Sequence, residues 1–202
     1  MAQLANPPDP VAVASTWRHL PNAITVARIA LVAPLVWLIA QHRFDAALIV
    51  VAVAGASDAL DGLLAKHYGW QSWLGGVLDP AADKLLLIAC FVSLYLAGML
   101  PGWLMWLVVL RDLIIVAGAS AYHFLIGRVI PQPSILSKVT TCIQIICVLA
   151  VLMDSSSLFD LPPVLIHALF WLAALATVAS GVHYVLVWSR KAWLARRDQG
   201  KT

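Results

Sequence analysis

Residues 163–188 of this chain, PVLIHALFWLAALATVASGVHYVLVW, contain no aspartate, glutamate, lysine or arginine over their whole length. Because a helix rises about 1.5 Å per residue, roughly 20 such residues cross the hydrocarbon core of a bilayer. The whole chain has the same character, since 62% of its 202 residues are hydrophobic and 11% are charged. An ordinary soluble domain has about 25% charged residues. The composition therefore predicts a membrane protein and excludes a cytosolic enzyme, a secreted disulfide scaffold and a disordered regulator.

Polar and turn-forming breaks divide the rest of the chain into similar apolar segments. We predict an all-α fold with six transmembrane helices in a single domain, residues 1–202. A loose or interfacial segment at 1–20 precedes the helices, and a basic tail at 189–202 follows them. The predicted spans are 24–40, 45–65, 80–98, 102–125, 135–153 and 163–188.

The distribution of lysine and arginine predicts how these helices are oriented. If the N-terminus lies in the cytoplasm, the alternation of six spans leaves Arg43 as the only cation outside, while Arg111 falls within a span. Cytoplasmic loops of membrane proteins are enriched in Lys and Arg, so both termini are predicted to be cytoplasmic. The eleven cations on that side are Arg18, Arg28, Lys66, Lys84, Arg128, Lys138, Arg190, Lys191, Arg196, Arg197 and Lys201.

Four aspartates lie close together at the predicted cytoplasmic boundary, in a chain that has no glutamate. Asp58 and Asp61 are three residues apart and Asp79 and Asp83 four apart, spacings that put each pair on one helix face. Asp79 is also predicted to cap a helix that begins at Pro80. Carboxylate oxygens favour Mg²⁺ or Mn²⁺ over zinc. The alternative is that these residues are helix caps and loop acids at a wet interface.

The stretch that holds these acids, DALDGLLAKHYGWQSWLGGVLDPAAD at 58–83, resembles the signature of the CDP-alcohol phosphatidyltransferases, DxxDGxxAR-x8-GxxxDxxxD. The one departure is Lys66, which stands where the family usually has arginine. The resemblance implies a six-helix membrane enzyme, generally a homodimer, with its active site open to the cytoplasmic leaflet. We expect this enzyme in a bacterial inner membrane. Such enzymes join a CDP-linked lipid to an alcohol and release CMP.

The resemblance also implies roles for individual residues. Two divalent ions, Mg²⁺ or Mn²⁺, are expected on Asp58, Asp61, Asp79 and Asp83. Asp83 is also the expected catalytic base, which takes the proton of the attacking hydroxyl. The expected CDP-binding residues are Asp58, Asp61, Gly62, Ala65, Lys66, Gly75 and Asp79.

The acceptor alcohol is predicted from the fourth and fifth spans. Arg111-Asp112 and the stretch PSILSKVTTCIQ at 133–144 resemble the mitochondrial and alphaproteobacterial type of cardiolipin synthase, which joins CDP-diacylglycerol to phosphatidylglycerol. Arg111 and Lys138 are the expected acceptor- or phosphate-binding residues. A charged residue within a span is a functional candidate because it is costly there. Arg111 is alternatively a structural partner of an aspartate on another helix, and Lys138 a cation that extends to the interface.

Other functions remain open at this point. Phosphatidylglycerophosphate synthases have a similar layout with a second arginine two turns further on, where this chain has Ala119. Glycerol 3-phosphate is a dianion, so an enzyme that binds it is expected to have this second positive charge. Because the second arginine is absent here, a lipid acceptor is favoured, and inositol and serine are less favoured. From other classes, a cation transporter or a membrane scaffold is possible. The basic tail is predicted to contact membrane lipids, and no nucleic acid partner is expected.

Overall fold

The computed structural model describes residues 20–55, 73–125, 134–156 and 158–199, and it describes only the backbone at 20–28, 73–83, 119–125 and 190–199. Within these ranges every regular element is an α-helix, which confirms the all-α prediction. The six described helices are α1 (Leu20–Ala40), α2 (described over Phe44–Gly55), α3 (Trp73–Leu96), α4 (Gly102–Leu125), α5 (Ile135–Ser155) and α6 (Pro163–Gln199).

Two boundaries differ from the sequence prediction in an informative way. Helix α3 begins at Trp73, so the prediction that Asp79 caps a helix starting at Pro80 is wrong. The helix continues backwards through the apolar residues 73–78, so Pro80 lies inside it despite the hydrogen bond that proline removes. Helix α6 continues to Gln199 because no glycine or proline interrupts 189–199, so much of the basic tail is helical. The N-terminal segment at 1–19 and the second half of the predicted span 45–65 lie outside the described residues.

Helices α1 and α3 end with the same backbone motif. His42 and Gly98 adopt positive φ angles of 53° and 77°. The amide of the next residue then donates to the carbonyl five residues back, from Arg43 to Leu38 and from Met99 to Leu94, each at 2.9 Å. This pairing satisfies carbonyl groups at the helix end and reverses the chain. Each motif is followed at once by the next helix, so α1–α2 and α3–α4 are antiparallel neighbours.

The short connections define two ends of the bundle. We call the end that contains residues 41–43, 97–101 and 156–162 the turn end, and the opposite end, where α3 and α5 begin, the motif end. Helix α3 packs against α1, α4 and α5, while α6 packs against α4 and α5. The largest fully buried apolar side chains lie toward the turn end, and they are Leu35, Ile39, Phe91, Leu94, Leu104 and Leu152.

Two of the described helices, Ile135–Ser155 and Pro163–Ser189, are long and apolar enough to cross a membrane by length and composition. Their outward faces have large apolar side chains, with Ile135 81% and Leu186 65% exposed. Three shorter apolar helical stretches occur at Ile29–Ala40, Phe44–Gly55 and Lys84–Leu96.

Candidate functional site

The aspartates of the signature fall on and beside the beginning of α3. Helix α3 is continuous through Asp79 and Asp83, so the two positions lie about one turn apart on one face of the helix. Gly75 lies in its first turn. Among the residues with described side chains, no group of three or more metal-ligating types comes together. The remaining predicted positions, Asp58, Asp61, Gly62, Ala65 and Lys66, lie outside the described residues, and the metal and CDP sites stay predictions.

Lys84, the first residue after this motif, belongs to an ionic network with two buried side chains of α4. Arg111 and Asp112 of α4 are each only 4% exposed. The Arg111 Nη1 donates to the Asp112 Oδ1 at 2.6 Å. The Lys84 Nζ of α3, the residue directly after Asp83, lies 3.4 Å from the same carboxylate oxygen. One carboxylate therefore pairs with a cation of its own helix and a cation of a neighbouring helix.

Arg111 is held by two further helices. Its Nη2 donates to the Ser137 Oγ in the first turn of α5 at 2.8 Å and to the Ser180 Oγ of α6 at 2.6 Å. We call Lys84, Arg111, Asp112, Ser137 and Ser180 the Arg111 network. It joins α3, α4, α5 and α6 in one layer, and hydrogen bonds that span several elements fix their relative rotation.

Local structure explains why these groups meet. Helix α5 begins after Ser134, whose extended backbone (φ −65°, ψ 153°) lets its side chain accept from the Ser137 amide at 3.1 Å. Such a cap satisfies one of the free amides at a helix start. On α6, a Cβ at Gly181 would lie 3.7 Å from the Arg111 Cγ, so a small residue leaves room for the arginine stem. The Tyr184 hydroxyl donates to the Ile115 carbonyl at 2.9 Å and holds α6 against α4.

The charges of the network do not cancel among the described residues. Two cations, Lys84 and Arg111, share the single carboxylate of Asp112, and the Arg111 Nε has no hydrogen-bond partner there. The structural alternative for Arg111 is an aspartate on another helix; among the described side chains its carboxylate partner is Asp112, its neighbour in the chain. Among the described side chains the network has one more cation than carboxylates, and such an excess can bind an anionic group such as a phosphate diester, so the geometry is compatible with a role in acceptor binding.

Lys138 lies beside the network in the chain. It follows Ser137 in the first turn of α5, and its side chain is exposed. The structure thus places Lys138 directly after the serine that accepts from Arg111, so the two predicted acceptor-binding positions lie on helices joined by that hydrogen bond. Whether they contact an acceptor stays a prediction.

A second group of buried polar side chains joins α5 to α6. The Gln144 Nε2 donates to the Thr177 Oγ1 at 2.9 Å, and Thr177 in turn donates to the Ala173 carbonyl at 2.6 Å. The Thr140 Oγ1 lies 3.0 Å from the Ala176 carbonyl of the facing helix. All three polar side chains are fully buried. Sequence reasoning did not single out Thr177 and Ser180, although small polar residues within an otherwise apolar run are a usable signal for such contacts.

A mostly apolar groove of about 400 Å³ runs between α4 and α6, with Arg111 in its wall. Apolar side chains from both helices make up most of its lining. They include Leu107, Leu110, Ile114, Val178, Val182 and Val185.

Comparison with known proteins assigns the chain to a family. A profile of the CDP-alcohol phosphatidyltransferases matches residues 18–182. The chain is 30% identical over 191 residues to a cardiolipin synthase (CMP-forming) of Rattus norvegicus, covering 85% of this chain and 62% of the relative. It is 32% identical over 185 residues to the Homo sapiens cardiolipin synthase (CMP-forming), covering 82% and 60%. A CDP-diacylglycerol–glycerol-3-phosphate 3-phosphatidyltransferase of Bacillus subtilis is 32% identical over 187 residues, covering 82% and 93%.

The chain spans about 60% of the length of the two animal relatives. The family profile nevertheless covers most of this chain, including the whole signature at 58–83, α4 and α5. This protein therefore belongs to the CDP-alcohol phosphatidyltransferase family.

Proposed function

We propose that this protein transfers the phosphatidyl group of CDP-diacylglycerol to phosphatidylglycerol, so that cardiolipin and CMP are formed. The observation that carries the proposal is the family signature at 58–83, within a chain that belongs to this family. Similarity to relatives named as CMP-forming cardiolipin synthases supports the choice of product.

The acceptor is argued from the charge on α4. Helix α4 is continuous from Arg111 through residue 119, so Ala119 lies about two turns beyond the arginine. A dianionic acceptor such as glycerol 3-phosphate favours a second cation at that distance, whereas a monoanionic phosphate diester is matched by fewer charges. The excess charge of one in the Arg111 network fits the diester better.

Divalent metal ions fit the residues of the signature. Members of this family generally use them, and carboxylates alone form the donor set of Asp58, Asp61, Asp79 and Asp83, as Mg²⁺ and Mn²⁺ prefer. When bound, two such ions supply positive charge that offsets the charge on the phosphoryl oxygens and on the departing CMP.

The chain's own groups carry the remaining steps. The oxygen of the acceptor hydroxyl bonds to the β-phosphorus, and the bond between that phosphorus and CMP breaks. Asp83 accepts the proton that the hydroxyl loses. Gly62, Ala65 and Gly75 leave room for the nucleotide beside the acids. Lys66 keeps the positive charge of the usual arginine but lacks its two-pronged geometry. Arg111 and Lys138 orient the acceptor phosphate.

The same proposal places residues 1–202 as one domain of six helices across a bacterial inner membrane, with both termini and the active site on the cytoplasmic side. The support is an inverted pattern of burial. Polar Thr140, Gln144 and Thr177 lie inside, while large apolar side chains of α4, α5 and α6 face outward. In water such an exterior would be unfavourable, and in lipid it is expected. The family resemblance adds a homodimer, which chemical crosslinking of intact membranes tests.

The decisive experiment is a CMP-release assay on the purified protein in detergent. CDP-diacylglycerol is supplied with and without Mg²⁺ or Mn²⁺, and phosphatidylglycerol, glycerol 3-phosphate, inositol and serine are offered separately. Metal-dependent release with phosphatidylglycerol is the expected result. If folded protein releases no CMP with any acceptor, the proposal is overturned and cation transport is the function to test next.

Phosphatidylglycerophosphate synthesis is the second candidate. It is favoured by the Bacillus subtilis relative, of which the chain covers 93%. Metal-dependent release with glycerol 3-phosphate in place of phosphatidylglycerol would select it, and would overturn the argument from Ala119.

A Lys138→Ala variant tests the acceptor site within this proposal. We expect a higher apparent KM for the acceptor and an unchanged apparent KM for CDP-diacylglycerol, because the exposed lysine lies beside the network and away from the signature in sequence. Equal KM values for the acceptor in variant and parent would mean that Lys138 only extends to the membrane interface.

A further inference from the structure

The Arg111 network contains a cation with two possible partners. Lys84 directly follows Asp83, the proposed base, and its half-buried side chain has a long flexible stem that permits the ammonium to reach more than one neighbour. Lys84 and Asp83 are consecutive residues, so their Cα atoms lie about 3.8 Å apart. The long lysine stem would therefore allow an ammonium released from Asp112 to compete with divalent cations for the Asp83 carboxylate.

Asp112 provides the alternative partner. Its carboxylate lies 3.4 Å from the Lys84 Nζ, and it is itself held by Arg111 at 2.6 Å. Arg111 is fixed in turn by the hydroxyls of Ser137 and Ser180. The order of contacts runs from α5 and α6 through Arg111 to Asp112 and ends at Lys84 on α3.

We propose that Asp112 is a positioning residue that pairs with the Lys84 ammonium and so prevents it from neutralising the signature carboxylates Asp79 and Asp83, which then bind divalent metal. This inference rests on the proposed function, since it assumes that the signature binds metal. It gives the buried aspartate a role beyond neutralising Arg111, because the same carboxylate also contacts Lys84.

Direct binding of Mn²⁺ tests the inference. Detergent-solubilised full-length protein with CDP-diacylglycerol is titrated with Mn²⁺, and free Mn²⁺ is followed by electron paramagnetic resonance. Asp112→Asn keeps an oxygen that can accept from Arg111 but loses the charge that holds Lys84. We expect its Mn²⁺ affinity to fall about 10-fold, at the low end of the effects seen for groups that support metal ligands. The matched control is Asp160→Asn, the same change at an exposed position between α5 and α6.

Two double variants separate positioning from net charge and from damage to the fold. The first double variant combines Asp112→Asn with Lys84→Met, and the second combines Asp112→Asn with Arg111→Gln. Both have the net charge of the parent protein, but only the first removes the competing ammonium. The first is expected to recover parental Mn²⁺ affinity, and the second to stay weak. Equal recovery in both would show that only net charge matters, and recovery in neither would show a structural role; each result overturns the inference.

The outcome also distinguishes this inference from the proposed function. Parental protein that binds Mn²⁺, together with Asp112→Asn of unchanged affinity, would overturn the inference alone. Parental protein that binds no Mn²⁺ would overturn the metal site and the inference together. The Mn²⁺ concentration that half-activates CMP release is expected to shift in the same order as the binding constants.

Discussion

The two ends of the bundle are built from different side chains. Toward the turn end, Leu35, Phe91, Leu104 and Leu152 are fully buried against one another. Further from the turn end, the buried side chains include Arg111, Asp112, Gln144 and Thr177, which bind one another or groups on the facing helices. Both regions are equally enclosed, so burial alone does not distinguish them.

The difference matters because of the proposed solvent. Lipid is as apolar as a leucine side chain, so an apolar residue gains little from facing the protein instead of the membrane. A guanidinium or a carboxamide gains much more, because facing lipid would leave its donors without partners. The polar layer therefore determines which faces of α3 to α6 turn inward, while the apolar layer supplies close packing.

The largest effect is expected at the motif end. Asp83→Asn should lower CMP release by about 10²–10⁴-fold, because proton transfer by a positioned base contributes about that much. Binding of CDP-diacylglycerol should persist, since the amide keeps an oxygen. The control is Asp160→Asn, which should retain parental turnover. Full activity of the Asp83 variant would show that Asp83 is not the catalytic base.

At the turn end, the expected effect is on stability instead. Phe91 is 0% exposed, and Phe91→Ala should cost about 3 kcal/mol of unfolding free energy, at the low end for such cavities. Melting in detergent measures the loss, and the apparent KM for CDP-diacylglycerol should not change. Leu96→Ala, at a side chain that is 76% exposed, is the control and should shift melting little. A changed KM with unchanged melting in the Phe91 variant would contradict the separation of the two ends.

The chain reversal at the turn end can be tested separately from packing. Gly98→Ala should destabilise by about 1 kcal/mol, because its φ of 77° is unfavourable for a residue with a Cβ. Among the described residues, neither Gly98 nor Gly55 has an atom within 4 Å of an added Cβ, whereas only Gly98 of the two has a positive φ. Gly55→Ala should therefore be neutral or slightly stabilising by melting temperature, and similar losses in both variants would contradict this explanation.

The smallest effect is expected for the hydrogen bond between α5 and α6. A double-mutant cycle of Gln144→Leu and Thr177→Val should give a coupling of about 0.6 kcal/mol, the average for side-chain hydrogen bonds within membrane proteins. Melting of the four proteins under one detergent condition provides the measurement. A coupling near zero would mean that this pair does not help to select the inward face of α6.

Several features of this protein are accessible from the sequence alone. The apolar runs predict helices. Helices α4 and α5 begin at the expected residues because glycine, proline and a serine cap stop or start helices locally. The signature at 58–83 predicts the family because eight defined positions at set spacings rarely occur together by chance. The beginning of α3 was misplaced because the local signal of Asp79-Pro80 is weaker than the apolar run that precedes it.

What only the tertiary structure decided is which polar groups meet. The neighbour of Arg111 in the chain predicts an ion pair, but nothing local indicates that Lys84, 28 residues away, shares the same carboxylate. Nor does any local pattern place Ser180, 69 residues away, against the Arg111 guanidinium. Helix propensity and hydropathy depend on neighbours along the chain, whereas these contacts depend on how four helices are rotated about their axes. The sequence by itself therefore determined the helices and the family, and packing alone decided which side chains meet in the Arg111 network.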